Sequence, residues 1–229
     1  MQDEIEFLKK ILFVNDENVN LTIFDIGANI GEYSMELINL GDSRIKEIHS
    51  FEPLPDFYLK LVNNTNSIKK IKAHNFAIDD IDIKKDMYQL CSPNDNGANG
   101  MSSFYWRDVF NKYPYLPNVS VKCIKLDNFI QENNFDIIDL IKIDTEGHEL
   151  NVLKSLSNTL KNQKVKYIQF EYGGCFIDSK ITMNDIIQFV KQFNYIVFKI
   201  ENSNIKIIND FVDDYQHQNY FIMKDNNII

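Results

Sequence analysis

Residues 22–38 read TIFDIGANIGEYSMELI. Thr22 to Asp25 have the apolar character of the end of a buried strand, and the chain then passes through Gly27 and Gly31 directly into a helical pattern. The chain has only 8 glycines, so two of them at this turn call for a reason. Gly27 permits a tight turn without a Cβ penalty, and its bare backbone lets a ligand approach closely. Asn29 is placed to cap the following helix, and Glu32, three residues on, would complete a capping box. Ile30, Tyr33, Leu37 and Ile38 supply the helix's buried face. Free amides at such a helix start suit an anionic group, a carboxylate or a phosphate. An ordinary strand–helix turn needing glycine for packing explains the same letters less economically, because the next strand end supports a ligand.

Strand-like and helix-like segments alternate on either side of this turn. Strands are expected at Leu21–Ile26, Glu47–Phe51, Ile71–Ala77, Val119–Leu126, Leu140–Ile143, Tyr167–Glu171, Tyr195–Ile200 and Tyr220–Lys224. Helical patterns fall at Ile30–Leu40, Pro55–Asn63, Asp127–Asn133, His148–Leu160 and Met183–Phe193. The alternation specifies an α/β fold with a mostly parallel sheet covered on both faces. Residues 79–118, with SPNDNGANGMSS and YPYLPN, depart from it as a β-rich or loop insertion. The segments NYIVFKI and NYFIMK could pair as a C-terminal antiparallel hairpin at the sheet edge. At the start, Ile5, Leu8, Ile11 and Leu12 fall on one face of an amphipathic helix within residues 1–20, packed on the domain. The whole chain, 1–229, reads as a single domain.

In such sheets ligands bind beyond the carboxyl ends of the strands. The second of these ends is HSFEPLPDF. Glu52 closes the strand 25 residues after Gly27, where these folds hold the hydroxyls of a ribose, and Pro53 and Pro55 turn the chain into a helix. The spacing in GANIG lacks the middle glycine that makes room for a pyrophosphate, which argues against a dinucleotide. DIGANIG instead looks like the first motif of S-adenosylmethionine-dependent methyltransferases. The third end, DLIKIDTEGHELNVLKSL, delivers Asp144 from a buried strand, with Glu146 and His148 at the mouth of a helix. Three titratable groups so placed suggest function. Helix-start charges and a surface histidine are the alternative for Glu146 and His148. The fourth end, YIQFEYGGC, sets Glu171 before Gly173 and Gly174, as a substrate contact or a partner for nearby amides.

Bulk properties narrow the partners. A net charge of −9 and a pI near 4.9 argue against nucleic acid as the main partner. No apolar run approaches the ~20 residues of a membrane span. The acidic N-terminus is unlike a secretory signal. Cys91, Cys123 and Cys175 form neither a CxxC pair nor an even disulfide set, which suits reduced thiols in a cytoplasmic protein.

Taken together, FDIGANIGEYS, FEP, HNFAID, LDNF, IKIDTEGHELNVLKSL and IQFEY resemble the FkbM family of methyltransferases, in the family's order, from about residue 22 to 172. The IKIDTEGHE segment is the family-specific one. The resemblance implies a Rossmann-like seven-stranded sheet and S-adenosylmethionine as donor, with transfer usually to an oxygen. By that analogy Asp25, Gly27, Asn29, Gly31 and Ser34 surround the methionine portion, Glu52 the ribose, and Asn75 and Ala77 lie near the adenine. The family's acceptors are hydroxyls of natural products and sugars, so a small-molecule or glycan acceptor is expected here.

A hydroxyl needs a general base, for which Asp144 and His148 are the candidates, with Glu146 beside them. The strand fixes Asp144 more firmly, while His148 has the better unperturbed pKa. Asp144, Glu146 and Glu171 could instead offer oxygen ligands to Mg²⁺, although no spacing is diagnostic of a metal. A nicotinamide-dependent oxidoreductase and a non-catalytic protein that keeps the fold are the competing readings.

Overall fold

The computed structural model describes residues 2–13, 20–40, 43–90, 102–108, 111 and 115–227. The opening strand forms with its expected bounds as β1, Leu21–Ile26, buried at every position. It lies between β2, Ile45–Phe51, and β7, Ile138–Ile143, both parallel to it. β3, Ile71–His74, extends this parallel set beyond β2, and β8, Val165–Tyr172, extends it beyond β7. β9, Tyr195–Glu201, β10, Asn204–Ile208, and β11, Gln218–Lys224, complete the sheet in the order β10-β9-β11-β8-β7-β1-β2-β3.

This sheet has eight strands where seven were expected. The additional one, β10, turns back from β9 through Asn202 and Ser203, whose φ angles of 51° and 61° suit a tight two-residue hairpin. Polar residues in this stretch hid the strand. The antiparallel pairing of β9 and β11 is as expected, but its place is not: β11 lies between β8 and β9, inside the sheet, and β10 takes the edge.

Helices cover both faces. α1, Gln2–Phe13, and α2, Glu32–Asn39, lie over Ile23, Ile48, Leu140, Phe198 and Phe221. Phe7 of α1 meets the rings of Phe198 and Phe221 edge-on, and Leu8 and Leu12 are buried; the side chain of Ile5 lies outside the described residues. α3, Pro55–Thr65, begins at Pro55 as expected and buries Phe57 and Leu61. The opposite face carries α4, Leu126–Glu132, α5, Glu149–Ser155, α6, Ser157–Lys161, a short α7, Cys175–Ser179, and α8, Met183–Lys191. The helix expected over His148–Leu160 therefore breaks at Leu156. Asp127 of α4 explains the break, because its carboxylate accepts the backbone amides of Asn158 and Thr159 at 2.8 and 3.0 Å and so caps a new helix. Leu153, Leu156 and Leu160 all remain buried across it.

A second sheet stands beside the first: β4, Ala77–Ile78, β5, Ile83–Leu90, and β6, Tyr115–Ile124, in the order β4-β6-β5. The strand expected over Ile71–Ala77 splits at Asn75 and Phe76, and its last piece joins this small sheet. Val119–Leu126 is a strand too, but belongs here. Most of SPNDNGANGMSS, and Cys91, lie outside the described residues. Among the described residues, no helix is long and apolar enough to cross a membrane.

Candidate active site

The turn after β1 is built differently from its expected form. Gly27 has φ +82°, and a Cβ there would lie 1.8 Å from the carbonyl oxygen of Asp144 on β7. The missing side chain makes room for the adjacent strand end. The amides of the turn are also occupied. Gly27 and Ala28 both donate to the Phe51 carbonyl at 3.0 Å, Asn29 donates to Glu52 Oε2 at 3.0 Å, and Gly31 donates to the Ala28 carbonyl at 2.8 Å. Asn29 does not cap the helix, and no capping box forms with Glu32. The N-cap is Gly31 in the left-handed region at φ 90°, which separates the two partners, and α2 starts at Glu32. A Cβ on Gly31 would lie 2.7 Å from Leu61 Cδ1 of α3, so this glycine serves helix packing.

Glu52 organises the end of the second strand. Its two carboxyl oxygens accept separate backbone amides, Asn29 at 3.0 Å and Leu54 at 2.8 Å. Burial pushes its pKa up to about 8, against the lowering pull of those two hydrogen bonds. Glu52 lines a cavity of about 680 Å³, open mouth included. Gly27, Asn29 and Ala77 share the wall, with Phe51, Leu54, Phe57 and Phe76 as apolar surface, and Asp144, Glu146 and His148 at the other side. The other expected cofactor residues stand behind or beside this wall. Asn75 is exposed and braces the chain through the carbonyls of Glu52 and Pro53, both at 3.0 Å. Asp25 Oδ2 accepts the Ser34 hydroxyl at 2.6 Å, and Ser34 meets Ser50 at 2.8 Å. Asp25 Oδ1 is buried with no hydrogen-bond partner.

Lys142 pairs in register with Asp25 and extends its ammonium to Asp144 Oδ2 at 2.5 Å. Burial acts to lower the Lys142 pKa, but Asp144 and Asp25 outweigh it and the net direction is up. Burial raises Asp25, with Lys142 opposing.

Past Asp144 the loop bends at Glu146, φ 53°, and folds around Glu149, whose Oε1 accepts the amides of Thr145 at 2.9 Å and Gly147 at 3.3 Å. Burial raises Glu146 to about 8, although Arg107 is bound to it in an ion pair and pulls it down. Arg107 Nε also lies 3.5 Å from Asp178 Oδ2 on α7. His148 is no surface residue, being 1% exposed. Its Nε2 lies 3.1 Å from Asp79 Oδ1 and its Nδ1 3.1 Å from the Tyr105 hydroxyl, with the Phe104 ring at 4.8 Å. Glu171 is outside the cavity wall, paired with His217, and raised first by burial and then by Asp144. Among the described residues, no group of three or more His, Cys, Asp or Glu side chains is placed to hold a metal ion. Asp144 and Glu146 each face a cation, Lys142 and Arg107, and Glu171 faces His217.

Asp79, Tyr105 and Arg107 were not singled out from the sequence. Asp79 closes the HNFAID segment, so a rule that strand ends carry chemistry would have reached it had β4 been recognised as a strand.

A family model described as the methyltransferase FkbM domain matches residues 25–197. The chain belongs to the FkbM methyltransferase family. Two curated relatives carry related names. The chain is 22% identical over 165 residues to the hexuronic acid methyltransferase AglP of Haloferax volcanii, and 24% identical over 168 residues to the 2-O-methyltransferase NoeI of Sinorhizobium fredii. These alignments take in 71% and 69% of the chain but 61% and 65% of the relatives' lengths. Among solved structures, an FkbM methyltransferase of Methylobacillus flagellatus superposes with a TM-score of 0.55 at 17% identity, over 91% of this chain and 45% of that one. A putative rRNA methylase of Clostridium thermocellum reaches 0.51 at 10% identity, over 97% and 94%. At such identities these two likenesses speak for the fold.

S-adenosylmethionine is the cofactor of this FkbM methyltransferase. The residues present fit it. An adenosine needs an apolar slot with an acceptor for its ribose hydroxyls, and Phe51, Leu54, Phe57 and Glu52 provide both on one wall. The orphaned Asp25 Oδ1, buried behind the turn, is an acceptor suited to an ammonium.

Proposed function

We propose that the protein is an S-adenosylmethionine-dependent O-methyltransferase acting on a hydroxyl of a sugar or related natural product. The observation that carries this reading is a single cavity wall that joins the donor carboxylate Glu52 to the buried His148. The names of the two curated relatives, one a hexuronic acid methyltransferase and one a 2-O-methyltransferase, support a sugar as acceptor.

S-adenosylmethionine, when bound, supplies an electrophilic methyl group on a good leaving group. What remains for the protein is positioning and proton removal. Alignment of the reacting groups is worth up to ~7–11 kcal/mol in intramolecular models. Glu52 holds the ribose, the apolar slot holds the adenine, and Asp25 with Asn29 and Gly27 frames the amino-acid end. Of the two candidate bases, His148 is the better placed. Asp144 Oδ2 is already bound by Lys142, whereas burial lowers the His148 pKa and favours its neutral form, outweighing the upward pull of Asp79 and Asp80. The Arg107–Glu146 pair borders the acceptor side. The free thiols Cys123 and Cys175 suit a cytoplasmic setting.

The test is incubation with methyl-labelled S-adenosylmethionine and a panel of hexoses, 6-deoxyhexoses and hexuronic acids, with labelled sugar as the expected product. Thermal stabilisation by NAD and none by S-adenosylhomocysteine would favour the oxidoreductase reading. Tight S-adenosylhomocysteine binding with no methylated product from any sugar or cell extract would favour a non-catalytic protein.

A further inference from the structure

Glu149 is a buried acid to which the reaction described above gives no part. It is 1% exposed, at the first position of α5, and its Oε2 has no hydrogen-bond partner. Its Oε1, by contrast, accepts three donors from the loop before the helix: the Thr145 amide at 2.9 Å, the Thr145 hydroxyl at 3.0 Å and the Gly147 amide at 3.3 Å. Thr145, Glu146 and His148 of that loop all line the cavity. We propose that Glu149 is a positioning residue, which draws the two amides flanking Glu146 onto one oxygen and so sets how Glu146 and His148 face the cavity. The assignment rests on the methyl-transfer reading above and adds to it a residue that stands behind the cavity wall.

An ordinary helix-start acid explains these contacts less well. Such an acid serves the orphan amides of the helix's own first turn. Glu149 reaches backward instead, to the loop that precedes the helix. A helix-start charge also works from the surface, whereas Glu149 is buried with one oxygen unpaired, a cost that capping does not require. The backbone it holds is one that does not form unaided. Glu146 and Gly147 are successive left-handed residues, at φ 53° and 102°, and a residue with a side chain stays there only where its surroundings impose it. A Cβ on Gly147 would lie 2.8 Å from the Cys175 carbonyl oxygen, so the arc also packs closely against α7.

Backbone bonds anchor the loop at its two ends. Asp144 donates its amide to the Ile26 carbonyl at 2.9 Å, and Asn151 and Val152 donate theirs to the His148 carbonyl at 3.1 Å. Between these anchors the Thr145 and Gly147 amides meet Glu149, the Ser103 hydroxyl donates to the Glu146 carbonyl at 2.7 Å, and Arg107 pairs with the Glu146 carboxylate. Release of Oε1 would let Glu146 and His148 turn about these points, and a displacement of about 1 Å is enough to cost roughly 10²-fold in rate. The role needs an oxygen at this reach rather than a charge. Burial raises Glu149 to about 7 against the lowering pull of its hydrogen bonds, and Oε1 remains an acceptor in the protonated form.

The test sets length against charge in the full chain. Glu149→Gln keeps an acceptor oxygen at the same reach without the charge. Glu149→Asp keeps the acid at the helix start but withdraws it by one methylene. With labelled S-adenosylmethionine and the sugar panel, Glu149→Asp should lower kcat by roughly 10²-fold while cofactor affinity stays within about threefold of wild type. Glu149→Gln should recover kcat to within about threefold of wild type, the rescue that a role for the acid itself would not allow. Amide hydrogen exchange gives a readout independent of the reaction. The Thr145 and Gly147 amides should exchange slowly in the wild type and in Glu149→Gln, and fast in Glu149→Asp, with β7 unchanged. Should Glu149→Asp not fold, Glu149→Leu takes its place. Fast exchange of both amides in the wild type, a Glu149→Asp enzyme with wild-type kcat, or a Glu149→Gln enzyme as slow as Glu149→Asp overturns the assignment. A panel that yields no methylated sugar with the wild type counts against the acceptor class instead, while the exchange rates still decide whether Glu149 holds the loop.

Discussion

The carbonyl oxygen of Asp144 occupies the space that a side chain on Gly27 would need, 1.8 Å from an ideal Cβ. The turn after β1 and the loop after β7 are thus locked against each other through backbone atoms. Asp144 also donates its amide to the Ile26 carbonyl at 2.9 Å, on the other side of the same junction.

Gly27→Ala should consequently be severe. The left-handed φ alone costs ~1–2 kcal/mol, and the two strand ends must part to admit the methyl group. The expected outcome is a loss of roughly 2 kcal/mol or more in urea denaturation, with cofactor binding lost in calorimetry. Retained affinity and stability would contradict the close approach described above.

Affinity for S-adenosylmethionine should rise with pH. Glu52, held up to about 8 by burial, is mostly protonated in the free protein at neutral pH, whereas ribose hydroxyls prefer a carboxylate acceptor. The dissociation constant should fall by roughly tenfold between pH 7 and 9. Calorimetry across that range checks it, and Glu52→Gln should flatten the dependence and weaken binding.

Stability of the ligand-free protein should move the opposite way. Glu52 and Glu146, both near 8, and Glu149, near 7, are raised chiefly by burial, so the folded state keeps protons that the unfolded chain has released. A raised carboxyl stabilises below its unfolded pKa, and that contribution is lost as pH climbs through the folded value. Unfolding free energy should drop by roughly 2–3 kcal/mol from pH 7 to 9. His49 and His74, lowered to about 4 first by burial, stay neutral across this window. A flat denaturation profile would refute the assignment.

Arg107→Gln leaves Glu146 buried without its cation. The carboxyl should then rise still further, and the lost ion-pair hydrogen bond should cost roughly 1–3 kcal/mol of stability. Because Arg107 also faces Asp178, the 102–108 segment should loosen on the acceptor side. Turnover should fall while cofactor affinity stays within about twofold, as measured by calorimetry and labelled-methyl transfer.

How much of this was legible in the letters depended on how local the signal was. The β1 turn, the Glu52 strand end and the IKIDTEGHE loop were each visible, because strand, glycine and acid lie within a few residues of one another. Their internal wiring was not. Asn29 looked like a helix cap, but its amide is held by Glu52, 23 residues away, and left-handed Gly31 took the cap position. His148 looked like an even choice between surface and site, because its partners Asp79 and Tyr105 come from a second sheet and its neighbouring segment. The helix break at Leu156 depended on Asp127, some 31 residues upstream. Long-range hydrogen bonds chose among conformations that local patterns left equal.

The interior position of β11 has a consequence for how the chain is made. β9 and β10 emerge from the ribosome before β11, yet only β11 joins them to β8. Until β11 is made, the edge of β8 has no strand partner there, and β9 and β10 are outside the sheet's hydrogen bonding. The parallel half of the sheet can assemble first, but its closure waits for β11. That interval is when a chaperone, or a second nascent chain offering its own β11, would find a strand-shaped vacancy.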